Sequence, residues 1–462
     1  MLFNSLPFLY FFFPITYVVF WMLTTKSQRY IWLSLTGYVF YSFWNYKFCV
    51  LMAFSTLVAY LAGLGLLRWK DHRRRRLCLI LPVTTDLLLL GFFKYTNFLL
   101  DAGQHVSTWL GFEMNLPKLN IILPIGISFY TFHTISYVID SYRGAVKPTK
   151  NFFEFSCYVS LFAQLVAGPI VRFRQIESDL ENIDTANRSK LLNIGWSFFV
   201  IGLAKKVLIA DTIAMIIDPA LGKYSQLSMM DSWLCMLGYS FQLYFDFSGY
   251  SDMAIGLGHL FGLRLPQNFN SPYKALDISD FWRRWHISLS SCLRDYLYLP
   301  LGGNRGSSLM VFRNLMITMV LGGLWHGANW TFVVWGAYHG VLLALYRFTR
   351  PQYDQLPVLL RRLITFVAVI IGWVFFRSKD FTMAAHLLSA MFIGHSGIAI
   401  IGRPLLILLI LLAALIVHVA PNTFEMDFRW SSLATVGLTA LFVLSLFMIY
   451  GSKSTPFLYF QF

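Results

Sequence analysis

The sequence predicts an all-α integral membrane protein, with about 10–13 membrane-crossing helices and a few re-entrant ones. Three observations carry the prediction: an unusually apolar composition, a series of apolar runs of bilayer-crossing length, and basic residues concentrated in the short segments between them. The chain of 462 residues is 57% hydrophobic and only 13% charged. Soluble domains carry roughly 45–50% apolar and about 25% charged residues, so composition alone excludes an ordinary globular class. The aromatic content, 44 Phe, 24 Tyr and 14 Trp, suits helix ends that sit at the headgroup level.

A hydrocarbon core of about 30 Å takes roughly 17–25 residues to cross. Apolar runs of that order lie near 6–23, 31–50, 51–67, 77–100, 121–139, 187–217, 233–258, 309–322, 328–346, 363–376, 404–420 and 434–450. The stretch 152–171, which ends in AGPIVRFR, and the polar stretch 279–300 read instead as re-entrant or buried helices. Such backbone is tolerated at membrane depth where protein or water satisfies it.

The formal charge of +15 is first of all a topology signal, because basic residues in short loops stay cytoplasmic. The strongest run is RWKDHRRRR, Arg68 to Arg76, which places that loop inside and, counting back through the earlier runs, the first residues outside. The same count puts Ser141–Asn151, Arg264–Arg313 and the group Arg347, Arg350, Arg361 and Arg362 inside as well. Arg73 to Arg76 read as a topology anchor that also suits anionic lipid, at about 1 kcal/mol per basic residue. No long soluble segment exists to carry the basic face that nucleic-acid binding needs.

The N-terminus lacks the positive region and cleavage site of a signal peptide and reads as a retained first helix. Five scattered cysteines, Cys49, Cys78, Cys157, Cys235 and Cys292, form no CxxC pair and no metal-ligand spacing, so neither a disulfide nor a metal site is expected. No repeat or linker divides the chain. It reads as one polytopic domain, 1–462, with its chemistry in the block 241–346.

That block contains the stretch from Asp277 to Asn329, which sets His286, His326 and several arginines inside an otherwise lipid-like sequence. Titratable groups at membrane depth are costly and mark cavities or pathways by default. Asp277 and Asp280 suit a helix N-terminus. A helix from there to about Tyr296 would align Trp282, His286, Leu289 and Leu293 on one face and Arg283, Ile287 and Arg294 on another. The two guanidiniums would then suit phosphates of a soluble donor, and equally lipid headgroups or helix-end carbonyls. LPLGGNRG (Leu299 to Gly306), with Arg305, is a glycine-bearing turn that lacks the P-loop pattern.

In LGGLWHGAN, Gly322 and Gly323 weaken the helix just before His326 and Gly327 follows it, so the spacing predicts a broken helix presenting His326 to a polar tunnel. Asn329 is placed to bond the ring and fix its tautomer. An interhelical packing role for His326 stays open, and His339 reads as structural. Asp246 and Asp252 within FQLYFDFSGYSDMAIG read as buried carboxylates paired with arginine, or else as part of an ion path. GLGHLFG has the wrong spacing for a dinucleotide loop. No GxSxG elbow occurs, and Cys292 reads as a structural or lipidated cysteine.

These residues resemble the membrane-bound O-acyltransferase family, and within it the bacterial branch that acetylates exopolysaccharides. The likeness runs through LPIGISFYTFHTISYVIDSYRG (Leu123 to Gly144), LVAGPIVRF (Leu165 to Phe173), YFDFSGYSDMAIG, the block from Asn268 to Gly306, GGLWHGANW and the closing FLYFQF. The resemblance implies a ring of helices around a central tunnel. It implies transfer of an acyl group, acetyl from a cytoplasmic thioester such as acetyl-CoA, to an acceptor on the outer side of a bacterial inner membrane. It also implies an extracytoplasmic acetyltransferase-type partner protein and a polysaccharide acceptor, alginate or cellulose, with peptidoglycan O-acylation and D-alanylation as neighbouring activities. By position, His326 matches the family's essential histidine and His286 its second histidine or polar position. Arg283, Arg294, Arg305 and Asn329 are then the expected substrate contacts, with no bound cofactor or metal. A transporter or flippase would also want a polar cavity, but transporters often show repeated halves and no second copy of 277–329 is present.

Overall fold

The computed structural model describes residues 1–112, 117–166, 168–393, 397, 399–451 and 457–458. The expectation resting on Ala167 and on Tyr459–Phe462 of the closing motif falls outside these. Among the described residues the chain is helical and forms no β-strand. In order, the helices are α1 (Phe13–Met22, entered through a π-helical turn Phe8–Phe12), α2 (Lys26–Asn45), α3 (Lys47–Arg68), α4 (His72–Trp109), α5 (Ile127–Tyr142), α6 (Phe152–Ser160), α7 (Phe162–Leu165), α8 (Phe173–Glu181), α9 (Arg188–Ala204) and α10 (Asp211–Leu221). They continue with α11 (Met229–Leu260), α12 (Ile278–Arg284), α13 (Ile287–Leu293), α14 (Ser308–His326), α15 (Trp330–Tyr353), α16 (Val358–Arg377), α17 (Phe381–Ile393), α18 (Arg403–His418) and α19 (Ser432–Gly451).

Each apolar run read from the sequence falls largely on helix, the run near 121–139 only from Ile127 onward. Among the described residues five helices, α3, α4, α14, α16 and α19, are individually long and apolar enough to cross a membrane, so the chain is a multi-pass membrane protein. Several helices start where short polar side chains satisfy free N–H groups. Thr25 and Gln28 form a capping box on α2, Asp71 accepts from the Arg74 amide at the head of α4, and Ser307 caps α14. As the sequence predicts, Asp277 opens α12 by accepting from the Asp280 amide at 2.8 Å.

Two compact units divide the packing: Met1–Trp196 with Ala254–Pro266, and Ser197–Met253 with Gln267–Phe462. In the first, buried polar groups tie α3, α4 and α5 together, Asp86 accepting from Ser55 and Thr134 at 2.5 and 2.6 Å. The second holds both histidines of interest. There Asp246 and Asp252 are paired, as expected, but with lysines and not with arginines. Lys206 bridges Asp246 (2.5 Å) and Asp211 (2.7 Å), and Lys205 contacts Asp252 at 2.6 Å. The LAKKVL sequence bulges into a π-helical turn, Lys205–Ala210, which lies one helix length away in sequence, so neighbour spacing carried no hint of it. Thr423 also donates to Asp252, and the Leu458 amide to Asp246. Removing one partner of such a buried pair typically costs about 3–5 kcal/mol, so we assign these residues to holding the unit together.

Candidate active site

The single helix predicted from Asp277 to Tyr296 is interrupted. α12 ends at Arg284, α13 starts at Ile287, and His286 between them takes a left-handed conformation with φ 44° and ψ 53°. For a residue with a Cβ this conformation costs roughly 1–2 kcal/mol, and it persists because neighbouring groups hold it. The Ile287 amide donates to Asn268 O at 2.9 Å. The Asn268 side-chain oxygen accepts from the Ser288 hydroxyl at 2.8 Å, and its amide donates to Ser251 on α11. Two residues before His286, Arg284 bonds Asp280 and the Asn270 carbonyl. The bend breaks the predicted faces, so Arg283 and Arg294 do not stack. Arg283 lies beside Asp280 and Arg294 beside Asp295, both exposed.

The consequence is that His286 turns into the core, where it is fully buried. Its ring stands 4.7 Å from Phe247, 5.8 Å from Trp325 and 6.3 Å from His326, centroid to centroid. That last spacing is too wide for a direct N–H···N bond, which needs about 3 Å between heavy atoms.

The helix carrying His326 is not broken at Gly322 and Gly323. α14 runs unbroken to His326, its last residue, and the chain departs at Gly327 in extended conformation (φ −161°). The glycines serve the contact with α15 instead. A Cβ on Gly323 would stand 2.2 Å from the Phe332 carbonyl oxygen, and one on Gly336 would stand 2.3 Å from the Met319 oxygen. The hairpin of α14 and α15 is therefore packed nearly backbone to backbone. This places Trp335 beside His326, with Phe376 of α16 on another side, at 5.2 and 5.1 Å.

His326 lines a cavity of ≈ 100 Å³. Leu315, Thr318, Met319 and Gly322 precede it along one face of α14, so the cavity follows roughly 16 Å of helix at 1.5 Å per residue. Trp282, Leu289, Ser290, Leu293, Arg294 and Tyr298 line it as well, Tyr298 lying against Gly303, whose carbonyl accepts from Asn314 near the start of α14. The lining is largely apolar, where a polar tunnel was predicted. Gly322 forms part of it, with only Leu293 Cδ1 within contact range of an added Cβ, at 3.0 Å.

The other expected contacts fall as follows. Asn329 does not bond His326; its side-chain oxygen caps α15 at the Thr331 amide and its nitrogen donates to Lys379 O. Arg305 is exposed on a turn whose glycines Gly302, Gly303 and Gly306 have positive φ. That turn is braced by Asn304, which accepts from Tyr298 and Arg347. His339 is fully buried in a cluster with Trp282, Trp335 and Trp373, consistent with its structural reading.

A model of the family described as membrane-bound O-acyltransferase matches residues 141–385. This segment contains both histidines, the cavity and the Asn268 brace. The chain belongs to the membrane-bound O-acyltransferase family. It is 45% identical to a probable alginate O-acetylase of Azotobacter vinelandii over 85% of this chain and 78% of that protein. It is 40% identical to a probable alginate O-acetylase of Pseudomonas putida over the whole of both chains, and 39% identical to a peptidoglycan O-acetyltransferase of Helicobacter pylori over 87% and 81%. As a member of this family the chain is an O-acyltransferase and uses an acyl donor.

Within this acyltransferase, sequence reasoning singled out the two histidines and missed what holds them. Asn268 is one polar residue in a loop, and only its pairing with Ser288 and Ser251 reveals its role. Trp325, Trp335 and Phe376, which enclose His326, are indistinguishable in sequence from the other aromatic residues of membrane helices. A polar residue at the end of an apolar block, as in NFNSPY, was the one available signal.

Proposed function

We propose that the chain transfers acetyl from acetyl-CoA, presented at the cytoplasmic end of the cavity, to a hydroxyl of an alginate-type polysaccharide or of an extracytoplasmic partner protein that completes the acetylation. The observation that carries this reading is His326 at the terminus of α14, lining a small cavity whose wall also includes Arg294 and Tyr298. The positive-inside count assigns Arg294 to the cytoplasmic side and the turn after His326 to the outside. An apolar cavity of about 150 Å³ holds benzene, so ≈ 100 Å³ suits a two-carbon acyl group better than a fatty chain.

His326 accepts the proton of the attacking hydroxyl as the new C–O bond forms at the thioester carbonyl. The C–S bond breaks, and the proton passes to the departing thiolate. A positioned base contributes about 10²–10⁴-fold. His286 holds the far side of the reacting group. Arg294 meets the donor at the cavity mouth, the exposed Arg283 and Arg305 contact its phosphates outside, and Asn329 sets the start of α15. The whole chain, 1–462, acts as one acyltransferase domain in a bacterial inner membrane.

The relatives named for alginate acetylation favour that acceptor. Cells secreting alginate with this chain as their acetylation subunit are expected to lose polymer acetyl by at least about a hundredfold on His326→Ala, with the protein retained in the membrane at normal level. Acetyl content within about twofold of wild type would remove His326 from the mechanism.

A further inference from the structure

The turn between α3 and α4 carries Arg68, Lys70, Arg73, Arg74, Arg75 and Arg76 against one acid, Asp71. Asp71 is occupied in capping α4 through the Arg74 amide. Arg75 is also committed, donating to the carbonyls of Leu66 and Tyr142 and lying over the Tyr142 ring at 5.7 Å. It clips the turn to the end of α5. The remaining cations have no ion pair among the described residues.

Beside them, α3 and α4 enclose an open groove of ≈ 510 Å³, lined by Val58 and Leu61 from α3, Leu77 and Leu81 from α4, and Trp69 and Arg74 at the turn. Its volume is within the range of about 300–1,000 Å³ typical of ligand sites. The apolar part faces outward, Leu61, Leu77 and Leu81 being more than half exposed, and the one cation in the lining stands at the basic end. Apolar wall, interfacial tryptophan and uncompensated guanidinium follow one another in the order acyl chain, glycerol, phosphate.

We propose that this groove is a binding site for one anionic phospholipid, its acyl chain against Val58, Leu61, Leu77 and Leu81 and its phosphodiester on Arg74, with Arg73 and Arg76 adding to the field. The cytoplasmic leaflet, where the positive-inside rule puts the turn, is the anionic one. The lipid would fix the spacing of α3 and α4 beside the Arg75 clip.

The test is native mass spectrometry of the purified full chain titrated with phosphatidylglycerol or phosphatidylcholine of identical acyl chains. Wild type is expected to retain phosphatidylglycerol at least about fivefold better. Arg74→Gln should remove most of that preference, while Lys47→Gln, at the opposite end of α3, leaves it unchanged. Leu61→Trp, which fills the groove at an exposed position without altering charge, should lower retention of both lipids. Equal retention of the two lipids by wild type would overturn the site, as would unchanged retention in Arg74→Gln and Leu61→Trp. Displacement of bound lipid by millimolar inorganic phosphate would also contradict it, since that marks a soluble-anion site. So would binding of an acidic carrier protein at this turn with no lipid preference.

Discussion

His286 bears the tightest local constraint in the site, a left-handed backbone on a residue with a full side chain. Histidine, asparagine and aspartate tolerate this region better than most residues, so the backbone and the imidazole can be separated by substitution. His286→Asn is expected to keep the bend and stay within about 1 kcal/mol of wild-type stability, yet to lose at least tenfold in acetyl transfer. Asn268→Ala, which keeps the backbone bond to Ile287 but leaves the Ser288 hydroxyl and amide short of a partner, should cost about 1–3 kcal/mol and lower activity through the bend. Thermal unfolding in detergent beside an acetylation assay checks both. Full activity in His286→Asn would reduce that ring to packing. The sequence shows His286 and His326 as anomalies of polarity, because their chemistry is local. It does not show the bend, because the contacts that hold it come from residues 251, 268 and 270, across a loop.

At the scale of elements, the α14–α15 hairpin shows why the Gly322–Gly323 dipeptide, which predicts a break, sits inside a continuous helix. Glycine is the poorest helix former after proline, which is why Gly322 and Gly323 predict a break. The close approach of α15 outweighs that propensity, since a side chain at 323 would enter the Phe332 carbonyl. The two glycines therefore separate into distinct roles. Gly323→Ala is expected to destabilise the hairpin and reduce the amount of folded protein in the membrane. Gly322→Val should leave folded protein near normal, because only Leu293 needs to shift, but fill the cavity and abolish transfer. Protein level and acetylation measured together distinguish them, and wild-type activity in Gly322→Val would show that the cavity is not the path. Helix positions themselves were legible almost throughout, since apolar runs, caps and basic loops are properties of neighbouring residues. The break within 277–296 was not, because helical periodicity continues through it.

For the whole molecule, composition and charge bias give a multi-pass membrane protein, and the fold supplies helices at each apolar run. The bias further predicts sidedness. Reporter fusions after Arg76 and within 145–150 should report cytoplasm, and a fusion between Lys223 and Ser228 should report the exterior; the reverse pattern would invert the proposed direction of transfer. The most direct measurement of the account is acetyl transfer in sealed vesicles of known orientation, with labelled acetyl-CoA supplied on the cytoplasmic side alone and acceptor polymer with its partner protein on the other. Wild type should place label on the acceptor side, and His326→Ala should lower the rate by about 10²–10⁴-fold with the protein intact. Undiminished labelling by His326→Ala, or label that never crosses in wild type, would contradict it.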